Sequence, residues 1–306
     1  MSDLFKWLKL DFEFVKNPID LLLFRLGFKN EILLKSKKLG NFQLMDNENK
    51  ITSIGLFLDL QKSEKLNENK ENLIKFFNAL FKNENSINLN GINYLNNKEI
   101  SILKESFLGE GNSPFSSDLK DKIIVDIGGN IGDTALQFAK QGAEVYSFEP
   151  VPPIYDIALK NIDLNPDLKD KIHFYNYAIS NKKGEIDIAY GGEGTSAGSS
   201  TYSKKGKVYK VNTITLKDIL SNLCPNVDLL QMDCEGSEYD IIPNSNLSMF
   251  KEIIIEYHQF ITGIDYHVLL ENLEKQGFII DEIFPCPGEI FSINQVGIIR
   301  AINKNI

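Results

Sequence analysis

The stretch "IIVDIGGNIGDTALQFA" (residues 123–139) decides how this chain is read. An apolar run carrying one acid, Asp126, leads into glycines at 128, 129 and 132, and then into a helix-like run. That order describes a strand, a tight turn and a helix. In such elements a small ligand sits beyond the carboxyl end of the strand, against the first turn of the helix.

Working outward, the same alternation repeats. Strands are expected at 122–127, 144–149, 171–179, 227–233 and 252–258, with helices at 133–141, 153–163, 215–222 and 265–276. Pro152 and Pro153 suit a helix start, and Gly142 and Gly277 suit helix ends. Near-continuous apolar strands alternating with helices make a parallel sheet covered on both faces. The tail breaks this rhythm. "GFIIDEIF" and "EIFSINQVGIIRAI" are separated only by "PCPG", which leaves no room for a crossover helix, so these two strands pair antiparallel. The fold class is therefore α/β: a Rossmann-like, mostly parallel sheet with one antiparallel C-terminal strand.

Residues 1–118 read differently and are assigned to a smaller α+β N-terminal domain, with 119–306 as the main domain. Residues 3–27 are expected to be helical, "EILLKSKKLGNFQLMD" a hairpin turning near Gly40-Asn41, and "NLIKFFNALFK" an amphipathic helix. "SINLNGINYL" is a second hairpin around Asn90-Gly91. The Gly/Pro/Ser-rich "EGNSPFSSD" (110–118) marks the boundary, and no chemical motif precedes it.

Bulk properties exclude several classes. The chain has 306 residues and a formal net charge of −9, which argues against a broad basic face for duplex nucleic acid. Cys224, Cys234 and Cys286 are widely spaced, with no Cys-x-x-Cys pair, so neither a zinc knuckle nor a disulfide framework is expected. The N-terminus carries charges throughout, and the run "IDLLLFRLGF" is too short to span a bilayer. The expectation is a cytoplasmic protein without a membrane span.

The loop chemistry narrows the ligand. A dinucleotide site would read G-x-G-x-x-G, whereas here the third position from Gly128 is Asn130 and the sixth is Asp133. With Asp126, Asp133 flanks the loop with acids that repel a pyrophosphate. The ammonium and sulfonium of S-adenosylmethionine suit such a loop better than NAD does. No P-loop pattern occurs. Glu149, in "YSFEP" (146–150), ends the second strand 17 residues after Gly132, where two carboxylate oxygens can accept both ribose hydroxyls. NAD enzymes use the same device. At the end of the third strand, Asn176 or the backbone near Ala178 could meet the adenine edge, or Asn176 could be a satisfied turn residue.

The stretches "VDIGGNIGDTALQFAKQGAEVYSFEPVPPIYDIALKNIDLN" and "VDLLQMDCEGSEYDII", followed by "IIIEYH", resemble the FkbM-type methyltransferases, which are class I S-adenosylmethionine-dependent enzymes. The resemblance covers about residues 105–300, and the N-terminal third is similar to an extension on archaeal members. Asp126, Gly128, Asn130, Gly132, Asp133, Glu149, Pro150, Asp233, Glu235, Gly236 and Glu238 take the places of the family pattern. Gly129 departs from it, since alanine is usual there. The resemblance implies S-adenosyl-L-methionine as cofactor, with Asp126, Gly128, Asn130, Gly132, Glu149, Pro150, Asn176 and Asp233 at its site. It implies no metal, although Asp233, Glu235 and Glu256 are oxygen donors of the kind magnesium takes.

"QMDCEGSEYD" (231–240) closes the fourth strand and is densely acidic. Methyl transfer to a hydroxyl needs an aligned acceptor and a proton acceptor. Asp233 and Glu235 are candidates for both tasks, and His258 at the end of the fifth strand is a second candidate base. Glu235 and Glu238 could instead only charge a helix start. "YGGEGTSAGSSTYSKKGK" (190–207) is a surface loop or an acceptor lid, and Lys204, Lys205, Lys207 and Lys210 would favour an anionic acceptor. The N-P-P-[YFW] turn of adenine N-methylation is absent after the fourth strand. The expected function is O-methylation of a small or glycan-like acceptor. The rivals are an NAD-dependent oxidoreductase and a non-catalytic cofactor-binding member of the family.

Overall fold

The computed structural model describes residues 11–45, 54, 57–58, 70–81, 84–97, 103, 118–190, 206–224, 227–285 and 293–305. The chain divides into two compact units, Met1–Glu110 and Gly111–Ile306. The division falls at the start of the 110–118 stretch, whose residues 111–117 lie outside the described residues.

In the first unit, helix α1 (Pro18–Arg25) is shorter than the helix expected over 3–27. Pro18 disfavours helical geometry at the residue before it, and Asn17 sits at φ −127°, ψ 61°. A separate helical turn occupies 11–14, and residues 3–10 lie outside the described residues. Strands β1 (Glu31–Lys35) and β2 (Asn41–Met45) form the expected antiparallel hairpin. Alternation turns Ile32 and Leu34 inward. Helix α2 (Lys70–Phe81) lays Phe77 and Phe81 against Phe42 of β2, with ring centroids 6.2 and 5.8 Å apart. Strands β3 (Ser86–Leu89) and β4 (Ile92–Leu95) turn through Asn90 at φ +50° and Gly91 at φ +79°. Two successive left-handed residues are what a two-residue hairpin turn requires.

The second unit continues with strand β5 (Ile123–Ile127), helix α3 (Asp133–Lys140), strand β6 (Glu144–Phe148), helices α4 (Pro152–Asp163) and α5 (Pro166–Lys169), and strand β7 (Ile172–Tyr175). Then come β8 (Ala178–Ile179), β9 (Gly184–Tyr190), β10 (Lys207–Ile214), helix α6 (Leu216–Asn222), β11 (Val227–Asp233), helix α7 (Glu238–Asn244) and β12 (Phe250–His258). Helices α8 (Gln259–Thr262) and α9 (His267–Lys275) and strands β13 (Phe278–Pro285) and β14 (Val296–Asn303) complete it.

Seven strands make one sheet in the order β13-β14-β12-β11-β5-β6-β7. The pairs from β12 to β7 are parallel, and β14 lies antiparallel between β12 and β13. The unit is thus the α/β, Rossmann-like sheet with a single reversed strand. Leu230, Met232, Ile253, Ile255, Ile241 and Leu269 belong to one buried cluster on this sheet. Among the described residues no helix is long and apolar enough to cross a membrane.

The strand expected over 171–179 is two strands. β7 stays in the main sheet, while β8 joins a second, three-stranded sheet of order β8-β10-β9. The break is at Asn176, whose amide donates to the carbonyls of Glu149 and Pro150, both at 2.9 Å. Strands β9 and β10 pair antiparallel on either side of the "YGGEG…KKGK" stretch, of which residues 191–205 lie outside the described residues.

Candidate functional site

Beyond β5 the backbone must leave the strand sharply. Gly128 does so at φ +92°, and a Cβ on it would fall 1.7 Å from the carbonyl oxygen of Asp233. The loop after β5 is therefore pressed onto the end of β11. Asn130 lies at φ +45°, a region asparagine tolerates better than most residues, which explains how it replaces a glycine. Gly132 is the left-handed residue before α3, with its Cβ position 3.4 Å from the Ala158 side chain.

Two buried acids hold this loop from beneath. The Asp126 carboxylate accepts the Ser147 hydroxyl at 2.7 Å. Glu149 accepts the Val151 N–H at 2.7 Å through one oxygen and the Asn130 N–H at 3.1 Å through the other. Each carboxylate oxygen has a second acceptor direction still to fill. Burial pushes Glu149 up to about 7 against those two backbone donors. Burial likewise pushes Asp126 up to about 7, against the Ser147 hydroxyl and aided by the charge of Asp133.

An open cleft lies over this loop. Gly128, Asn130, Glu149, Pro150, Asp233 and Glu235 line it, with Tyr177, Ile179, Ile186 and Ile188 forming an apolar side. Small-molecule sites have this makeup: apolar walls and a few convergent polar groups. Asp126, Gly132, Asn176 and His258 are not among its lining residues. Asp126 lies beneath the loop, Gly132 at the helix start, and Asn176 ties the segment after β6 to β7. Asn176 thus shapes the cleft through its two carbonyl contacts. Among the expected lysines, Lys210 stands 3.8 and 3.9 Å from Glu185 and Asp187 across the hairpin, so acids of the same hairpin offset its charge. Lys204 and Lys205 lie outside the described residues.

At the other end of the cleft the carboxyl ends of β11 and β12 meet. Asp233 and Glu256 are register partners on these parallel strands. Two residues past Glu256, on the same face, comes His258. The side chain of His258 is 4% exposed, and its Nε2 lies 3.5 Å from Glu256, 3.6 Å from Glu235 and 3.7 Å from Asp233. Its Nδ1 is 3.3 Å from Glu238, whose same oxygen accepts the His258 backbone N–H at 2.8 Å. The other oxygen of Glu238 accepts the Gly236 N–H at 2.9 Å. Burial opposes charge on His258, but hydrogen bonding to Glu238 and Glu256 and the charge of Glu235 outweigh it and hold the imidazole pKa well above its usual value.

Sequence reasoning named Asp233, Glu235, Glu256 and His258 and left Glu238 as a helix-start charge. Glu238 is fully buried and carries the hydrogen bonds that orient His258. Its signal was available: an acid inside the apolar face of "EYDII" has to be satisfied internally. Glu235 sits at φ +52°, followed by Gly236 at φ +103°. A glutamate in the left-handed region costs about 1–2 kcal/mol, and such strain gathers at functional sites.

The model of the methyltransferase FkbM domain family matches residues 126–280, half of the chain. A curated relative, methyltransferase sdnD of Sordaria araneosa, is 22% identical over 169 residues, covering 44% of this chain and 65% of the relative. The chain therefore spans less than two thirds of that relative's length. Among solved structures, the magnesium protoporphyrin IX methyltransferase of Synechocystis PCC 6803 with bound SAM is similar at 12% identity and a TM-score of 0.38, over 68% of this chain and 83% of its own. TrmK of M. capricolum, in complex with S-adenosyl-homocysteine, is similar at 15% identity and a TM-score of 0.37, over 60% and 63%.

Proposed function

The chain belongs to the FkbM methyltransferase family, and we propose from this that it transfers the methyl group of S-adenosylmethionine to an oxygen of a small or glycan-like acceptor. The observation that carries the reading is the position of Glu149 and Asp233. They follow β6 and end β11, the two strands that flank β5, and both line the cleft over the Gly128 loop. Glu149 takes the ribose hydroxyls with its unfilled acceptor directions. Gly128 and Asn130 let the backbone come close. The buried acids beneath the loop favour a cationic cofactor over a pyrophosphate.

In the transfer, an acceptor oxygen attacks the methyl carbon, the S–CH₃ bond breaks with its electron pair going to sulfur, and an O–CH₃ bond forms. The acceptor's proton goes to a group in the cleft. Asp233 and Glu235 line the cleft and are the candidates for that step. His258 does not line the cleft and is held by Glu238 through its ring and its backbone N–H, so it acts as a positioning residue and not as the base. The acceptor rests over Asp233 and Glu235, against Tyr177 and the β9 side of the cleft.

Thermal shift with S-adenosylhomocysteine and with NAD tests the cofactor. Stabilisation by the first alone is expected, and stabilisation by NAD alone would overturn the cofactor reading. O-methylation is checked by incubating methyl-labelled cofactor with free sugars, uronic acids and nucleotide sugars. A labelled amine product in place of a methyl ether or ester would refute it.

A further inference from the structure

We propose that Asp233, Glu256 and His258 form a binding site for one divalent cation, of the magnesium or manganese class, beside the transfer cleft. The site deepens the methyltransferase reading, on which the cation's role rests. Three observations carry it.

One is the spacing of the donors. Asp233, Glu256 and His258 each bring a ligand atom to within 4.8 Å of the others. Nε2 of His258 is 3.5 Å from Glu256 and 3.7 Å from Asp233. Two donors that share an ion at about 2.1 Å stand roughly 3.0–3.6 Å apart, from right-angled to trigonal geometry. The three atoms therefore surround a point at which an ion needs shifts of only a few tenths of an ångström.

Another is the way His258 is held. It is 4% exposed, so its ring does not follow solvent. Glu238 takes Nδ1 at 3.3 Å and is itself anchored by the backbone N–H groups of Gly236 and His258. A carboxylate on the far nitrogen is the usual support of a metal-binding imidazole, because it places the proton on Nδ1 and leaves the Nε2 lone pair toward the ion.

The last is the origin of the geometry in the sheet. Asp233 and Glu256 are paired in register on β11 and β12, and His258 is one alternation further on. Rigid strand ends thus hold the donors, with Glu235 another 3.6 Å from Nε2 as a neighbouring acid. Two carboxylates and one imidazole suit a hard divalent ion better than a thiophilic one. An ion there would contact the acceptor oxygen and lower the pKa of its proton, which assists the transfer to oxygen.

The test uses the full chain stripped with EDTA and titrated with manganese chloride, with bound ion followed by electron paramagnetic resonance. One manganese per chain is expected, displaced by excess magnesium, and weakened tenfold or more in both Asp233→Asn and Glu256→Gln, with circular dichroism confirming that the variants fold. No bound manganese, or binding unchanged in both variants, would overturn the site. S-adenosylhomocysteine binding is measured on the same samples in EDTA. S-adenosylhomocysteine binding without manganese binding sinks the cation site and leaves the methyltransferase reading standing. Manganese binding without it upholds the site and sinks the cofactor reading.

Discussion

Gly128 and Gly132 both have positive φ, yet they differ in what surrounds them. A methyl at Gly128 meets a backbone carbonyl at 1.7 Å, which cannot yield without moving β11. At Gly132 the nearest atom is 3.4 Å away, so only the φ of +80° resists substitution. Gly128→Ala is expected to cost several kcal/mol or to prevent folding, and Gly132→Ala about 1–2 kcal/mol. Urea unfolding of both variants checks the order. Glu149 makes a second prediction at this scale. Its folded pKa of about 7 means that it carries a proton near pH 6. Ribose hydroxyls donating to its carboxylate favour the ionised form, so binding of S-adenosylhomocysteine releases a proton. Affinity should rise as pH goes from 6 toward 8, by up to about tenfold per unit below 7. Calorimetry in buffers of different ionisation enthalpy reads the proton, and Glu149→Gln should abolish the release and weaken binding roughly tenfold or more.

The elements carry their own strain. Between β11 and α7 the chain turns through Glu235 and Gly236, both at positive φ. Replacing Glu235 by glycine removes a left-handed side chain and one acid from the group around His258. Stability should rise by about 1 kcal/mol while methyl transfer falls. A variant that gains no stability would show that the turn is unstrained. Toward the β13 edge of the sheet, β14 enters between β12 and β13 at Gly297. A Cβ there would lie 2.5 Å from the Tyr257 hydroxyl and 2.9 Å from the carbonyl of Phe284. Gly297→Ala is therefore expected to cost about 1–3 kcal/mol in thermal or chemical unfolding, since the reversed strand has no slack against both neighbours.

For the whole molecule, the two buried acids set a pH dependence. Asp126 and Glu149 are both raised to about 7 by burial, above the ordinary carboxylate values of 3.8 and 4.5. The folded chain then binds protons that the unfolded chain does not. Their contribution is fully present below the unfolded values and is lost as pH rises through about 7. Without cofactor, stability should fall between about pH 5 and pH 7, and S-adenosylhomocysteine should flatten that fall. Denaturation across pH, with and without the ligand, measures both. The second unit owns its buried core, so a fragment of residues 111–306 is expected to fold and bind S-adenosylhomocysteine by itself.

Much of this was legible in the chain. Apolar periodicity located the strands of the main sheet, "PCPG" announced the reversed strand, and Asn90-Gly91 announced a hairpin, because each is a local property of backbone and side chain. The loop around Gly128, Glu149 and the acids of 233–238 could be named for the same reason. The tertiary structure alone separated the acids by role. Asp126 sank beneath the loop, Glu238 turned inward to hold His258, and Asp233 remained at the cleft. It also divided 171–179 between two sheets and placed β14 inside the edge. These outcomes depend on which carbonyls and which strand ends come together in space. Sequence spacing constrains a residue's own strand and face, while burial and partnership are set by chain segments distant from it.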